Sequence, residues 1–178
     1  MSRLITLGLL LATAPGACAS TPTGHRQEGR LASNAPADQP VQVIGTNPDA
    51  IMANWRRQIA PYVAKAIATY PSARQRYLGG LAPGETFFVT AVLRDRDGRY
   101  EQVFILVDRI ASGTITGRIW SDVGVVRGYK RRDAYSLPES DIVDWLISKP
   151  DGSEEGNFVG KYVDSLQQTP APGSREAI

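Results

Sequence analysis

The chain has 178 residues, and its 20 Lys and Arg residues against 18 Asp and Glu residues leave a net charge of +2. This length allows one domain with tails, and the near-neutral balance excludes a nucleic-acid binder that depends on counterion release. The one Cys excludes an internal disulfide, and the one His, His25, lies outside the part expected to fold, which excludes a Cys/His zinc site and catalysis of the Cys–His or Ser–His–Asp type. The composition therefore predicts a modest core, no metal and no cofactor.

The N-terminus has the pattern of an export signal. Residues 4–14 form an apolar run that suits a signal peptide and is too short to span a bilayer, and Pro15 and Gly16 break the helix after it. Two interpretations remain open: cleavage before Ser20, or lipidation of Cys18 as the first residue of a bacterial lipoprotein. Both predict a periplasmic protein, either soluble or anchored to the outer membrane through a lipid on Cys18.

The chain divides into four segments by composition. Residues 1–19 are the predicted signal peptide, and residues 20–44 are rich in Ser, Thr, Pro, Gly and Ala, which is typical of a flexible linker. Residues 45–168 carry the hydrophobic periodicity and are expected to form one domain. Residues 169–178 are expected to be a disordered tail.

A helix is expected to open this domain, because Asn47 before Pro48 is a favourable N-cap and first helical residue. Apolar residues then recur every four positions and predict one buried stripe. The stripe consists of Ile51, Trp55, Ile59, Val63 and Ile67. Pro61 is expected to kink or split the helix, and Pro71 to end it. Residues 72–78 then predict a further short helix, which Gly79 and Gly80 are expected to close.

The periodicity changes to two after this helical region, which indicates strands. The predicted strands are residues 86–94, 100–107, 114–120, a short strand ending at Pro138, and residues 142–148. Residues 123–129 are either a short strand or an irregular crossing, and residues 158–166 either a strand or a helix. The order predicts an α+β fold, with an N-terminal helix or helix pair packed on a strongly bent, small-barrel-like antiparallel sheet of four to six strands.

A basic cluster is the first candidate ligand-binding feature. Its members are Arg127, Tyr129, Lys130, Arg131 and Arg132. Such a cluster favours an anion such as a phosphate, a lipid head group or a carboxylate. The alternative is a solvated loop whose cations pair with Asp133 and Glu139.

Carboxylates beside a tryptophan are the second candidate feature. Strand alternation would place Glu139 and Asp141 on one face, as acid–base catalysis requires. The alternatives are structural: Asp141 satisfies backbone donors in a turn, Asp144 pairs with an Arg of a neighbouring strand, and Trp145 packs in the core. Asp141, Asp144 and Trp145 join the basic cluster as candidate ligand-binding residues, and no residue is assigned a catalytic or metal-binding role.

Residues 64–145 carry several short motifs that resemble the YegJ-like bacterial domain of unknown function. The motifs are a helix followed by Pro71, the triplet 83–85 (Pro-Gly-Glu) before an aromatic strand, and an Ile-x-Asp-Trp ending at Trp145. Arg132 departs from the family, which often has Gly there. The resemblance implies a small α+β domain, and it supplies no catalytic residues because the family has no assigned activity.

These patterns together predict an exported, non-catalytic binding or accessory module of the cell envelope. Its partner is expected to be an envelope protein or an anionic envelope ligand, with no nucleic acid. Two alternatives remain open. One is an envelope hydrolase that uses carboxylates such as Glu139, Asp141 or Asp144, and the other is an immunity-like inhibitor of one protein partner.

Overall fold

The computed structural model describes residues 41–43 and 46–168; Cys18, the predicted signal peptide, most of the linker and the C-terminal tail lie outside these ranges. The elements in chain order are β1 (Val41–Val43), α1 (Pro48–Gly79), β2 (Thr86–Arg94), β3 (Tyr100–Ala111), β4 (Thr114–Ile119), β5 (Ala134–Pro138), β6 (Asp144–Ser148), β7 (Glu154–Gly156) and α2 (Phe158–Gln168). A 3-10 turn at Glu139–Asp141 links β5 to β6.

Helix α1 runs without interruption for 32 residues. As predicted, Asn47 caps it by accepting a hydrogen bond from the Ala50 amide, and Gly80 closes it with a φ of 96°. The expected split at Pro61 and end at Pro71 are wrong. Both prolines are exposed, so water can solvate the carbonyls that lose their helical partner.

The predicted stripe on α1 is wrong at both ends. Ile51 and Ile67 are 39% and 44% exposed. A strict four-residue spacing rotates by about 40° per step around a helix with 3.6 residues per turn, so its ends leave any one face. The buried residues instead combine spacings of seven, four and three, which stay on one face. They are Met52, Ile59, Ala66, Tyr70, Ala73 and Tyr77.

The strands form one antiparallel sheet in the order β5-β4-β3-β2-β6-β7. Short β1, which falls inside the predicted linker, pairs with β3 at Tyr100–Gln102, next to the stretch of β3 that β4 covers. The expected α+β class, with a helix on an antiparallel sheet, is confirmed. Within the described residues the pairing ends at β5 and β7, so the sheet is open and is not closed into a barrel.

Two uncertain segments are resolved by the structure. Residues 123–129 form an irregular loop, and residues 158–166 belong to helix α2. The two faces of β3 carry different clusters, as the alternation predicts: Val103 and Ile105 face the core beneath α1, and Phe104 and Leu106 face a second cluster with Phe88. Among the residues that the structure describes, neither helix is long and apolar enough to cross a membrane.

Candidate functional site: an apolar pocket and a basic loop

A cavity of about 410 Å³ lies between the N-terminal half of α1 and the sheet. Its lining is apolar apart from one arginine and one glutamine. The lining residues are Met52, Trp55, Arg56, Ile59, Ala60, Val63, Ala64, Val92, Gln102, Ile142 and Val143. This size falls within the range of small-molecule sites, about 300–1,000 Å³.

The cavity exists because a strand pairing ends here and two of the helix positions here carry small side chains. Strand β2 pairs with β6 only from Thr86 to Thr90, so Val92 lies beyond the neighbouring strand. On the helix, Ala60 and Ala64 are too short to fill the space, and both are exposed at the rim. The result is an apolar space that remains open to solvent.

Aromatic contacts hold one wall of this pocket in place. The indole nitrogen of Trp55 lies 3.4 Å from Gln102 Oε1, to which it donates a hydrogen bond. Tyr162 of α2 stacks on Tyr62 at 4.4 Å between ring centroids and on Trp55 at 6.4 Å. Helix α2 therefore packs against the wall that Trp55 forms, and the side-chain oxygen of Gln102 already has a partner.

Arg56 is the single charged residue that lines the pocket. It is exposed and has no ion pair among the residues that the structure describes. Its neighbour Arg57 points elsewhere and donates a hydrogen bond to Asn54 Oδ1 at 3.3 Å. The pocket thus combines an apolar interior with one available cation at its rim.

The predicted basic cluster lies on the loop between β4 and β5, which two carboxylates hold in place. Glu101 is fully buried, and its carboxylate accepts hydrogen bonds from three consecutive amides, those of residues 124–126, at 2.9–3.1 Å. Asp95 accepts from the Arg127 amide at 2.9 Å. Burial alone would raise the pKa of Asp95, but hydrogen bonds from Arg127 and Arg99 outweigh it and lower the pKa to about 2.

The side chains of the basic cluster reach solvent. Arg127 lies 3.5 Å from Asp97, and Arg131 lies 3.5 Å from Asp122 and stacks over the Trp120 ring at 4.8 Å. These acidic partners differ from the expected ones. Asp133 accepts a hydrogen bond from the backbone amide of Lys130, and Glu139 binds other residues. Tyr129 packs edge-on against Tyr135.

Asp144 is buried at the start of β6, where it caps helix α2. It accepts hydrogen bonds from the Trp145 amide at 2.8 Å and from the Val159 amide, in the first turn of α2, at 2.6 Å. The expected Arg partner is wrong, since these partners are backbone amides. Burial raises the pKa of Asp144 to about 6, although these hydrogen bonds and nearby Lys161 act in the opposite direction.

Trp145 is also buried, at 6% exposure, and its indole nitrogen donates to Ala66 O and Thr69 Oγ1 at 3.1 Å. It therefore anchors α1 to β6. Asp141 is exposed in the 3-10 turn and accepts a hydrogen bond from Ser140. The structure thus brings Asp144 and Trp145 together as core residues, and it leaves Asp141 and the basic cluster at the surface.

The expected strand alternation around Glu139 is wrong because residues 139–141 form a 3-10 turn. Glu139 accepts hydrogen bonds from Arg74 and from the Tyr70 hydroxyl, each at 2.7 Å. Burial alone would raise the pKa of Glu139, but Arg74 and Tyr70 outweigh it and lower the pKa below its usual range. Glu139 thus joins α1 to the end of β5, while Asp141 makes a separate contact.

The sequence prediction missed the pocket and the role of Glu101. Within residues 41–43 and 46–168, no group of three or more His, Cys, Asp or Glu side chains is placed to hold a metal ion. Comparisons of the chain with protein-family models, with curated proteins and with solved structures find no match. The geometry is therefore the basis on which a function can be proposed.

Proposed function

We propose that this protein is an exported, non-catalytic binding module of the bacterial cell envelope that holds an apolar ligand in the pocket beside α1. The observation that carries the proposal is the cavity of about 410 Å³, whose apolar lining stays open to solvent. Leaving such a surface hydrated costs free energy, and a bound apolar molecule recovers it.

The envelope location rests on the sequence alone. The predicted signal peptide, and lipidation of Cys18 as its alternative outcome, lie outside the described residues. The resemblance to the YegJ-like domain also stays a prediction. A direct check of the anchor is Cys18→Ala. A lipoprotein loses its membrane fractionation and its lipid mass, whereas for a protein cleaved before Ser20 the fractionation and the mature mass stay as in the wild type.

The hydrolase alternative has less support, because its carboxylates are engaged separately. Glu139 binds Arg74 and Tyr70, and Asp144 binds the amides of Trp145 and Val159. A glycosidase of the common type needs two carboxyl groups that face each other across the substrate. We therefore prefer binding to catalysis.

A protein partner is the second candidate, and the organisation of the basic loop favours it. Three backbone amides of this loop donate hydrogen bonds to buried Glu101 and fix its conformation. The loop therefore holds its cationic side chains in fixed positions, which suits recognition of a charged protein surface. Charge reversal of Lys130 and Arg131 tests this candidate: a specific envelope partner recovered by affinity capture would be lost, while pocket binding would not change.

The test of the pocket uses dodecanol as a neutral apolar probe, with the indole proton resonance of Trp55 as the reporter. We expect dodecanol to shift this resonance, because Trp55 lines the pocket. Ala64→Phe should fill the space and abolish the shift. Ala68→Phe is the matched control, since Ala68 is exposed on the same helix and does not line the pocket.

Two outcomes would contradict the proposal. One is the absence of any Trp55 shift at saturating dodecanol. The other is a shift of equal size in the Ala64→Phe variant, which would place the probe outside the pocket. Thermal unfolding of both variants shows whether each keeps the wild-type fold.

A further inference from the structure

We infer that the ligand of this pocket is a single-chain amphiphile with a carboxylate head group, of the fatty-acid type, whose head lies at Arg56 and whose chain enters the apolar interior. The inference rests on the proposed function and adds the chemical class of the ligand. The arrangement of polar groups around the cavity carries it.

Only two lining residues offer polar side chains, Arg56 and Gln102. Gln102 is buried, and its Oε1 already accepts from the Trp55 indole. A sugar, nucleotide or peptide would bury many polar groups against this lining without partners, which costs about 1–3 kcal/mol for each group. An alkyl chain has no such groups and suits the remaining lining.

Arg56 supplies the polar contact that an amphiphile needs. Asp49 is the acidic residue nearest to Arg56 in the sequence. It already accepts a hydrogen bond from the Tyr100 hydroxyl at 2.6 Å and lies 3.8 Å from Arg94. No carboxylate among the described residues pairs with Arg56. A guanidinium at a pocket rim matches the planar carboxylate and can bind it through two parallel hydrogen bonds.

The sequence of α1 also indicates the direction in which the ligand would lie, with its head at Arg56 and its chain along the helix. Arg56, Ala60 and Ala64 follow each other at four-residue spacing, so they lie side by side along the rim. The two alanines leave a path for the chain directly after the arginine. The cavity volume lies near the lower end of the range for ligand sites, which favours one acyl chain over a two-chain lipid.

The experiment compares dodecanoate with dodecanol, which have the same chain length and different heads. Affinities are measured by titration of the Trp55 resonance, below the concentration at which either probe aggregates. We expect dodecanoate to bind about tenfold more tightly, which corresponds to about 1.4 kcal/mol. Arg56→Gln should abolish this preference, because it lowers the affinity for dodecanoate far more than the affinity for dodecanol.

Arg57→Gln is the matched control, because Arg57 is the next residue and contacts Asn54 instead of the pocket. It should keep the full preference for dodecanoate. The preference should also fall as salt is raised, since an exposed ion pair is screened. This measurement tests the inference in the wild-type protein, whatever the variants do to folding.

The outcomes separate the two proposals. Equal affinity for both probes, or a preference that survives Arg56→Gln, would overturn the head-group assignment and leave the apolar pocket intact. If neither probe moves the Trp55 resonance, the proposed function itself fails.

Discussion

The two halves of helix α1 lie on the same sheet, but one is closely packed against it and the other borders a cavity. In the C-terminal half, Ala66, Tyr70, Ala73 and Tyr77 are all buried against the core. In the N-terminal half, Met52 and Ile59 are equally buried, yet a cavity of about 410 Å³ opens beside them. Because the buried residues continue on one face, the orientation of the helix does not explain the difference.

The difference comes from what lies opposite each half. The aromatic rings of Phe87 and Trp145 fill the space under the C-terminal half, and their ring centroids lie 6.5 Å apart. Opposite the N-terminal half, the short side chains of Val92 and Val143 line the same cavity as the alanines of the helix. The pocket is therefore a gap left by small residues where a strand pairing ends. The packed C-terminal half holds α1 in position, so the helix does not collapse into the gap.

The strongest test of this comparison removes one aromatic ring from each half. Tyr77→Ala should lower the free energy of unfolding by about 3–5 kcal/mol, because Tyr77 is buried and stacks on Phe87 at 5.3 Å. Trp55→Ala should cost clearly less, since Trp55 already borders open space. Urea unfolding of both variants measures the difference, and equal losses would show that the two halves do not differ in packing.

A smaller effect is expected from removing the carboxylate that caps α2. Asp144→Ala leaves the amides of Trp145 and Val159 buried without an acceptor, which should cost about 2–3 kcal/mol. Because α2 stacks on the N-terminal half of α1 through Tyr162, amide exchange should quicken first in α2. The exposed neighbour Asp141→Ala is the control and should change little. Uniform loss of protection would contradict this local role.

Enlarging one alanine that is packed in the core and one that lines the pocket sharpens the comparison further. Ala66 is fully buried, so Ala66→Leu should overpack the core and cost about 2 kcal/mol. Ala64, two residues earlier, lines the pocket, so Ala64→Leu should be neutral or slightly stabilising. Thermal unfolding compares the two, and a loss in Ala64→Leu as large as that in Ala66→Leu would mean that the cavity is not available space.

The fold could be predicted from the sequence wherever a local pattern decides the structure. The N-cap at Asn47, the helix-closing role of Gly79 and Gly80 and strand β2 follow from residue preferences and a period of two. The continuation of α1 through Pro61 could not be predicted, because it depends on which side of the helix faces solvent.

The candidate sites show the same limit. The surface position of Arg127 and its neighbours follows from their charge, whereas the Glu101 clamp beneath them joins segments more than twenty residues apart. The pocket is harder still to predict. The one sign of the pocket in the sequence is the presence of Ala60 and Ala64 between larger apolar residues. This sign indicates a pocket only when the pairing of β2 with β6 is known to stop at Thr90.

The last effect, which is the smallest within any one pH unit, is a pH dependence that arises at β6, the strand that connects to both halves. Trp145 bonds to the C-terminal half of α1, and Asp144 holds α2 against the N-terminal half. The folded pKa of Asp144 is about 6, against an ordinary value of 3.8. Between these values the folded state binds the proton more tightly than the unfolded chain does, so stability from this group is greatest at low pH and falls as pH rises through that window.

We therefore expect the stability of the wild type, relative to Asp144→Asn, to fall by about 1 kcal/mol per pH unit between pH 4 and 6 and to level off above. The asparagine cannot titrate, and carboxylates with lowered pKa values, such as Glu139, contribute equally to both proteins and cancel. Urea unfolding across this range measures the difference. A flat difference, or one that grows with pH, would mean that the amides of α2 and the charge of Lys161 outweigh burial at Asp144, and that the junction between the two halves does not respond to pH.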